Sequence, residues 1–560
     1  MRVAAPRLVK ILYSDARNAD ILTRLEDVYS TSISRRRFLA GAGGLVLAGG
    51  LPSARGLAQS GPSIARGGRF AQGVASGQPT PGGITLWTKM SELERPGTMQ
   101  FEISTEPDFR SVLIRRSITP DAAREFSITT RVDSTKLKPS ERYYYRFFTC
   151  DRTSPVGRFR TARPADSAEP VRVAFFSCQD FESGFYTAHA GIAQEDDLDL
   201  VICLGDYIYE KSYDPSKTRT DKTGANGDAE VQTLAEYRDK YRLYHTDPDL
   251  LAMRAQHPMY ALWDDHEVED NYASGLPGDA TENRRIPFAE RRAAGYRAFF
   301  EHQPQLPIDG ADRIYGTIAL GRNADVLLLD QRQYRSDQPC SDATAPPPGT
   351  CADKDDPSRT MLGPAQKAWF KDALAGSKAR WKLVGNELQM MSLDLTRGNP
   401  LTVDSWDGYA AERRELGEFI RDRGIKDVSF LTGDIHTFFA GNVTPSGREG
   451  PGQPAAVATE FVGGSITSEG IGDRQGRQGS VDLSEQIALA LDGGTASQNP
   501  QIKYSNQSRK GYGVLQASAT ELLVQYKSPA TVVAPKSAIT TLQRFRVASG
   551  TANVEVLGPG

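Results

Sequence analysis

The sequence predicts an α/β protein preceded by a small antiparallel β-sandwich, and three observations support this. The chain has 560 residues, which exceeds one ordinary domain and allows a large core. Residues 66–165 contain short strand-like runs broken by Gly, Pro, Ser and Asp, as in a sandwich. From residue 170, short apolar runs alternate with longer helical segments, which indicates a sheet layered with helices.

Residues 1–58 have the features of an export signal. Arginines at 35–37 precede Phe38 and Leu39, and a short Gly/Ala/Leu stretch follows. This arrangement resembles a twin-arginine signal, and its apolar stretch is too short and too rich in glycine to span a membrane. We therefore expect recognition by the twin-arginine export machinery, a periplasmic or secreted protein, and no stable membrane span. The alternative is a disordered basic tail before an interior helix.

The predicted sandwich over 66–165 is built from five strand candidates. They are GGITLWTKM, MQFEIST, REFSITTRV, RYYYRFFTC and VGRFRTA. The segment TKLKPSERYYYRFFT resembles a strand of fibronectin-III-like modules. We interpret this region as a structural module without chemistry of its own.

The predicted catalytic domain spans 170–545. Its strand candidates are VRVAFFSC, DLVICLGD, MYALWDD, ADVLLLDQ, WKLVGNE, VSFLTGDIH and AAVATEFVGG. Helical candidates include EVQTLAEYRDKYRLYHT, PFAERRAAGYRAFFEH, GPAQKAWFKDALAG and AERRELGEFIRDRG, and late strands are expected to complete a second sheet.

Charge and cysteine content narrow the function classes. A net charge of −3 with 24% charged residues gives no indication of a nucleic-acid-binding surface. Of the five cysteines, Cys340 and Cys351 bracket a Pro/Gly/Ser loop and are expected to form a disulfide. Cys150 and Cys203 lie in apolar runs and are expected to be buried. Cys178 calls for another explanation.

Five apolar runs end in residues that can bind metal. These ends are Ser177-Cys178-Gln179-Asp180, Gly205-Asp206-Tyr207-Ile208-Tyr209, Asp264-Asp265-His266-Glu267, Gly385-Asn386-Glu387 and Gly433-Asp434-Ile435-His436. The carboxyl ends of strands in α/β sheets are where sites assemble. Helix capping also favours Asp and Asn after a strand, but it does not require His, Cys or Tyr. A metal cluster explains all five ends better.

The residue types indicate which metals the cluster would hold. Several carboxylates and one Asn suit hard ions such as Ca²⁺, Mg²⁺ or Mn²⁺. A tyrosine phenolate is costly at neutral pH because its ordinary pKa is about 10, and Fe³⁺ would remove that cost. Only six histidines are present in the chain, which argues against a zinc site held mainly by His. A mixed cluster of iron and a hard divalent ion fits best.

These motifs carry a resemblance to a known family. GDYIY, WDDHEVEDN and LTGDIH are similar to the dispersed motifs of the calcineurin-like metallophosphoesterases. FAQGVASGQPTPGGITLWTKM, FFSCQDFESGFYTAHAGIA and LTGDIHTFFAGNV resemble the alkaline phosphatase D (PhoD) family more closely, and the likeness runs from about residue 66 onward. The resemblance implies a core of two packed β-sheets flanked by helices, with a small N-terminal sandwich.

The resemblance also implies an activity and its cofactors. Members hydrolyse phosphoesters by a metal-bound hydroxide, and this chain would scavenge phosphate outside the cytoplasm. It would hold one Fe³⁺ and one or two Ca²⁺. On the iron side, the likeness assigns Cys178 and Tyr209 to Fe³⁺ and makes Asp206 the bridge between iron and calcium. Asp180 is the alternative to Cys178 as the ligand from the first strand end.

The resemblance also assigns the remaining metal ligands, of which Asp265 is expected to bind calcium. Asp265 stands where the wider superfamily has the Asn of GNH, and Asn386 stands at a strand end that elsewhere supplies His. Asp434 and His436 match GHxH, with Asp replacing the first His. His266 matches the His of GNH and is the expected acid that protonates the leaving group.

Three neighbouring residues and the activity itself leave alternatives open. Asp264 and Glu267 are expected to orient ligands, and Asn271 is either a ligand or, as we prefer, a helix-terminal residue. The substrate would be a small or polymeric phosphoester and the protein a monomer. The alternatives are a phospholipase-D-like phosphodiesterase of the same family and a non-catalytic protein that binds metal or phosphate on the same fold.

Overall fold

The computed structural model describes residues 63–211, 214–227, 229–278, 284–310, 312–340, 349–396, 398–474 and 499–560. The predicted export signal over 1–58 lies outside these ranges. No helix within the described ranges is both long enough and apolar enough to cross a membrane.

Strands outnumber helices along the described part of the chain. The strands are β1 (Arg66–Arg69), β2 (Val74–Thr80), β3 (Gly83–Lys89), β4 (Ser91–Arg95), β5 (Met99–Ser104), β6 (Val112–Ile118), β7 (Ser127–Asp133), β8 (Arg142–Phe148), β9 (Gly157–Arg160), β10 (Val171–Phe176), β11 (Leu200–Leu204), β12 (Pro258–Leu262), β13 (Gly316–Ala319), β14 (Ala324–Leu328), β15 (Trp381–Asn386), β16 (Asp394–Thr396), β17 (Asn399–Pro400), β18 (Val428–Thr432), β19 (Phe438–Val443), β20 (Ala458–Gly463), β21 (Ile502–Asn506), β22 (Tyr512–Ala517), β23 (Glu521–Pro529), β24 (Ile539–Ala548) and β25 (Glu555–Gly558). The α-helices are α1 (Thr187–Gln194), α2 (Leu234–Tyr244), α3 (Pro248–Gln256), α4 (Phe288–His302), α5 (Gly363–Gly376) and α6 (Ala410–Asp422).

Two large mixed sheets form the core. The first has ten strands in the order β25-β24-β23-β22-β10-β11-β12-β2-β3-β7, and the second has seven in the order β13-β14-β15-β18-β20-β19-β21. At the centre of the first sheet β10, β11 and β12 are parallel, as are β14, β15, β18 and β20 in the second. The carboxyl ends of each parallel group therefore lie along one edge of their sheet.

Side-chain alternation shows how the second sheet is covered on both faces. Leu383 and Leu431 belong to the large core that also contains residues of β10 and β11. The next residues along each strand, Val384 and Phe430, pack with side chains of α5 and α6. Successive side chains of a strand point to opposite faces, so one face meets the first sheet and the other meets helices. The predicted fold class, an α/β core of two packed sheets flanked by helices, is confirmed.

The region over 66–165 is more closely joined to the core than a separate sandwich would be. β6, β5, β8 and β9 form an antiparallel sheet of their own. However, β2, β3 and β7 continue the ten-stranded sheet, because β2 pairs in parallel with β12 through Ser76 opposite Pro258 and Gly77 opposite Met259. The predicted domain boundaries at 58, 66, 165, 170 and 545 stay predictions.

The cysteines follow the sequence-based expectation with one exception. Cys340 and Cys351 form a disulfide with their Cα atoms 5.5 Å apart, as predicted. Cys203 is fully buried in β11, also as predicted. The expectation of a buried Cys150 is wrong, because this residue lies in the exposed turn after β8.

Candidate metal centre

Four of the predicted ligand positions directly follow core strands. Cys178 follows β10, Asp206 follows β11, Asp265 follows β12 and Asp434 follows β18. These strands belong to the two packed sheets, so the carboxyl ends of both sheets contribute to one place. The carboxyl ends of parallel strands thus mark the site in both sheets.

The backbone at this place is strained in a consistent way. Cys178, Asp206, Asp434 and His436 have positive φ angles of 57°, 54°, 62° and 56°. Left-handed backbone costs a non-glycine residue about 1–3 kcal/mol and is concentrated at functional sites. The fold holds each of these residues in a conformation that its own preference would not select.

The first group of ligand atoms surrounds Asp206. Cys178, Asp206 and His436 each offer a ligand atom, and these atoms lie within 4.8 Å of one another. The Tyr209 hydroxyl joins them, since it lies 2.9 Å from Asp206 Oδ2 and 3.0 Å from His436 Nε2. Ser468 Oγ donates to the same hydroxyl at 2.8 Å. The structure thus brings together the four residues predicted from the GDxxY, GHxH and first-strand motifs.

His436 is oriented as a ligand would be. Its Nδ1 lies 2.8 Å from the Glu469 carbonyl oxygen, which accepts a hydrogen bond from the Nδ1–H group. The neutral imidazole then carries its lone pair on Nε2, the nitrogen that faces Tyr209. This is the tautomer that a metal needs.

The second group shares Asp206 with the first. Ligand atoms of Asp206, Asp265 and His266 also lie within 4.8 Å of one another. Asp206 Oδ1 is buried and has no hydrogen-bond partner among the described atoms. A buried carboxylate oxygen without a partner is costly, and a cation between the groups would satisfy it. Among the described residues, Asp206 is the one shared by the two groups of ligand atoms.

His266 sits at the open side of the second group and is held by Glu210. Its Nδ1 lies 2.6 Å from Glu210 Oε2, and its ring packs on that of Tyr209 with centroids 4.1 Å apart. Burial disfavours the imidazolium, but the carboxylates of Glu210, Asp265 and Asp206 outweigh burial and raise the pKa of His266 well above its usual value. The protonated form can donate a proton at Nε2.

The donor atoms themselves fit a multivalent cation. Burial, followed by the nearby Asp206 carboxylate, raises the pKa of the Cys178 thiol and of the Tyr209 phenol well above their usual values. Burial also raises the pKa of Asp206. The protein alone therefore opposes ionisation of these groups, and a strongly Lewis-acidic ion would reverse that preference. The residues present fit such an ion.

Arg332 is a functional residue that the sequence interpretation missed. It is fully buried and forms an ion pair with Asp264, and its nitrogens lie 3.3 Å from Asp265, 2.9 Å from Asp404 and 3.5 Å from Asp434. These charges favour the ionised carboxylates, and with His266 they lower the pKa of Asp265 against the effect of burial. The strand-end pattern does indicate this position, because Asp330, Gln331 and Arg332 follow β14 in the same way as the predicted ligands follow their strands.

Asn386 stands at the end of β15 with both ends of its amide hydrogen-bonded. Its Oδ1 accepts hydrogen bonds from Gln331 Nε2 at 2.6 Å and from Trp406 Nε1 at 3.2 Å. Its Nδ2 donates to Thr432 Oγ1 at 2.9 Å. Both ends of the amide are used within the protein, so Asn386 ties β15 to its neighbours and the geometry gives no support to the predicted ligand role.

The other candidates hold the site from outside. The Glu267 carboxylate accepts the backbone N–H groups of Asp206 at 3.2 Å and Asp264 at 2.8 Å, which joins the ends of β11 and β12. Asn271 donates its backbone N–H to Asp265 Oδ2 at 2.8 Å. Asp180 lies 3.0 Å from Lys217 Nζ and is absent from both ligand groups.

Gly205 allows the two strand ends to approach, and its replacement should disrupt the centre. Its φ is 108°, and a Cβ at this position would lie 2.4 Å from Asp264 Cβ. Gly205→Ala is expected to lower the free energy of unfolding by about 2–5 kcal/mol, because backbone strain adds to overpacking. Thermal melting and bound-metal content measure both effects. Gly376→Ala is the control, since no atom lies within 4 Å of its added Cβ and it should leave both unchanged.

Comparison with known proteins identifies the family of this chain. Residues 173–526 match the model of the PhoD-like phosphatase family, and residues 56–163 match that of the PhoD-like phosphatase N-terminal domain. Alkaline phosphatase D of Bacillus subtilis (strain 168) is 32% identical over 542 residues, which cover 93% of this chain and 88% of that protein.

Two solved structures are similar. The structure of PhoD superposes with a TM-score of 0.77 at 30% identity and covers 89% of this chain and 93% of its own. A purple acid phosphatase from yellow lupin (Lupinus luteus) seeds has a TM-score of 0.51 at 11% identity, covers 85% of this chain and 73% of its own, and shares the fold. With two family models that together match most of the chain, this protein belongs to the PhoD-like phosphatase family.

Proposed function

We propose that this protein hydrolyses phosphoesters at the centre that follows β10, β11, β12 and β18. The observation that carries the proposal is the position of Asp206, which belongs to both groups of ligand atoms. A carboxylate shared by two groups can hold two ions close together, and such a pair of ions clamps both the attacking and the leaving oxygen of phosphorus. The family, whose members are named phosphatases, supports the same reaction class.

The proposed ligands follow from the two groups. Cys178, Tyr209 and His436 would hold Fe³⁺ together with Asp206, because thiolate and phenolate suit a strongly Lewis-acidic ion. Asp206 and Asp265 would hold Ca²⁺, whose preferred ligands are oxygens.

Asp434 lies beside the same place, across Arg332, and is the proposed third oxygen ligand for calcium. Asn386 is left out of the set because its amide is already bonded on both sides.

The residues around the ions would supply a proton to the leaving group and stabilise the charge of the carboxylates. When bound, such ions polarise a phosphoryl group and make a water molecule more acidic. His266 Nε2 would donate a proton to the leaving oxygen, while Glu210 holds the ring through Nδ1. Arg332 would keep Asp264 and Asp265 ionised and in place.

The iron assignment predicts a coloured protein. The purified protein is expected to contain iron and calcium and to absorb visible light through a tyrosinate–Fe³⁺ transition. Tyr209→Phe should remove that band, whereas Tyr207→Phe should retain it, because Tyr207 contacts Arg254 and His245 instead of the ligand groups. Absorption spectra and elemental analysis of both variants are the measurements. A colourless wild-type protein that contains only zinc contradicts the iron assignment.

We further propose that the protein acts as a monomer outside the cytoplasm, where it would release phosphate from organic phosphoesters. Replacing arginines 35–37 with lysines keeps the charge of the segment. It is expected to retain the protein in the cytoplasm, because a twin-arginine signal is read by a receptor. Cell fractionation followed by activity assays is the test, and normal export of the lysine variant would rule out this route.

A further inference from the structure

A second cluster of charge lies on the sheet formed by β8 and β9. In this antiparallel pair Arg142 lies directly opposite Arg160, and Arg158 follows two residues away on the same face as Arg160. Like charges directly opposite each other destabilise a strand pair. Three guanidinium groups therefore share one face of a short hairpin that could have carried neutral residues.

The acidic residues nearby do not balance this charge. Asp197 lies 3.1 Å from Arg142 and 3.6 Å from Arg160, and its side chain is 60% exposed. Within the described part of the chain, Arg158 has no carboxylate at ion-pair distance, and its Nε donates to the Gln256 carbonyl at 3.1 Å. Burial and then the neighbouring Arg142 lower the pKa of Arg158, while the more distant Asp196 and Asp197 act in the opposite direction.

These arginines line a small cleft that also contains a buried imidazole. The cleft is shallow and open to solvent, and it is bounded on its other side by Asp197 and the segment 256–258. His257, in this wall, is 3% exposed, and its ring lies against the backbone of Ile192 and Ala193.

The cleft is separate from the metal centre. Asp197 precedes β11 and Gln256 precedes β12, whereas Asp206 and Asp265 follow these same strands. A five-residue strand spans about 16 Å, so the cleft and the centre lie at opposite ends of the sheet. An anion in this cleft would be neither substrate nor leaving group.

We propose that the mouth of this cleft binds a phosphate group through Arg142, Arg158 and Arg160. Guanidinium groups match tetrahedral oxyanions because they offer paired N–H donors in a plane. An anion would also relieve the repulsion between the opposed arginines. The phosphate group can be free inorganic phosphate or part of a polyphosphate chain, since both present the same oxygens.

The test measures phosphate binding to the metal-loaded full-length protein by equilibrium dialysis at constant ionic strength. Arg158→Gln and Arg142→Gln are expected to bind one phosphate fewer per chain, or to bind it at least about tenfold more weakly, because a charge-assisted hydrogen bond is lost. Arg116→Gln is the matched control, as Arg116 lies on β6 of the same sheet outside the cleft. Because Arg142 is exposed, its variant is expected to fold even where Arg158→Gln does not.

Two further measurements separate this cleft from the catalytic centre and identify the ligand. Inhibition of phosphodiester hydrolysis by phosphate reports on the metal centre and should be the same in all three variants. Dialysis with tripolyphosphate distinguishes the two possible ligands. If tripolyphosphate binds more tightly than inorganic phosphate, the ligand is a polyphosphate chain. Equal phosphate binding by wild type and both cleft variants, or equal binding of chloride and phosphate, would overturn the proposal.

Discussion

Asp206→Asn is expected to remove nearly all hydrolysis of bis-nitrophenyl phosphate and at least one metal equivalent. Asp206 belongs to both ligand groups, so the substitution weakens the bridge on which both ions would depend. Loss of metal-derived transition-state stabilisation of several kcal/mol corresponds to a decrease of about 10³-fold or more in kcat/KM. Steady-state kinetics and elemental analysis of the purified variant measure the two effects.

Asp180→Asn is the control for this result. Asp180 follows the same strand as Cys178, but its carboxylate is paired with Lys217 and lies outside both ligand groups. The Asp180 variant is therefore expected to keep its metals and most of its activity. An active Asp206 variant with full metal content would remove the proposed bridge. If the Asp180 variant is inactive and free of iron, the ligand that follows β10 is Asp180 and not Cys178.

His266→Asn is expected to slow hydrolysis by an amount that depends on the leaving group. A general acid contributes about 10²–10⁴-fold to a rate, and that contribution matters most when the departing oxygen is strongly basic. We therefore expect a large decrease in kcat for alkyl phosphoesters and a small one for nitrophenyl esters. Metal content should be unchanged, because Asp206 and Asp265 remain.

Glu210→Gln gives the matched comparison for His266. It removes the negative charge beside Nδ1 and leaves the imidazole in place, so the same trend with a smaller amplitude is expected. The ratio of kcat values for alkyl and nitrophenyl substrates is the measurement. A uniform decrease for both leaving groups in His266→Asn would show that His266 is not the acid.

The strand-end rule explains how much of the centre could be predicted. Asp206, Tyr209, Cys178 and His436 were identified because parallel strands present their carboxyl ends at one edge, and the structure brings these residues together. The rule gives the position of a residue along a strand but not the direction of its side chain. Asn386 shows this limit, since Gln331 and Trp406, both distant in the sequence, determine which way its amide points.

The same distinction applies to the fold. Hydrophobic periodicity indicated strands and helices, because burial of each element is a local pattern. Which strand edge meets which other edge depends on contacts between distant segments. For this reason the pairing of β2 with β12, across more than 170 residues, was not evident from the pattern around residues 66–165.

That pairing makes the N-terminal strands a cover for the catalytic sheet. Without β2, β3 and β7, the side of β12 away from β11 would lose the strand partner of Pro258 and Met259, and only the Gln305 side chain, bonded to the Ala261 backbone, would still cover that edge. An exposed, apolar strand edge is a template for pairing with other chains and leads to aggregation. The strand that carries Asp265 is thus shielded from intermolecular pairing by residues that precede the catalytic region. A catalytic fragment beginning after residue 165 would have lost this protection.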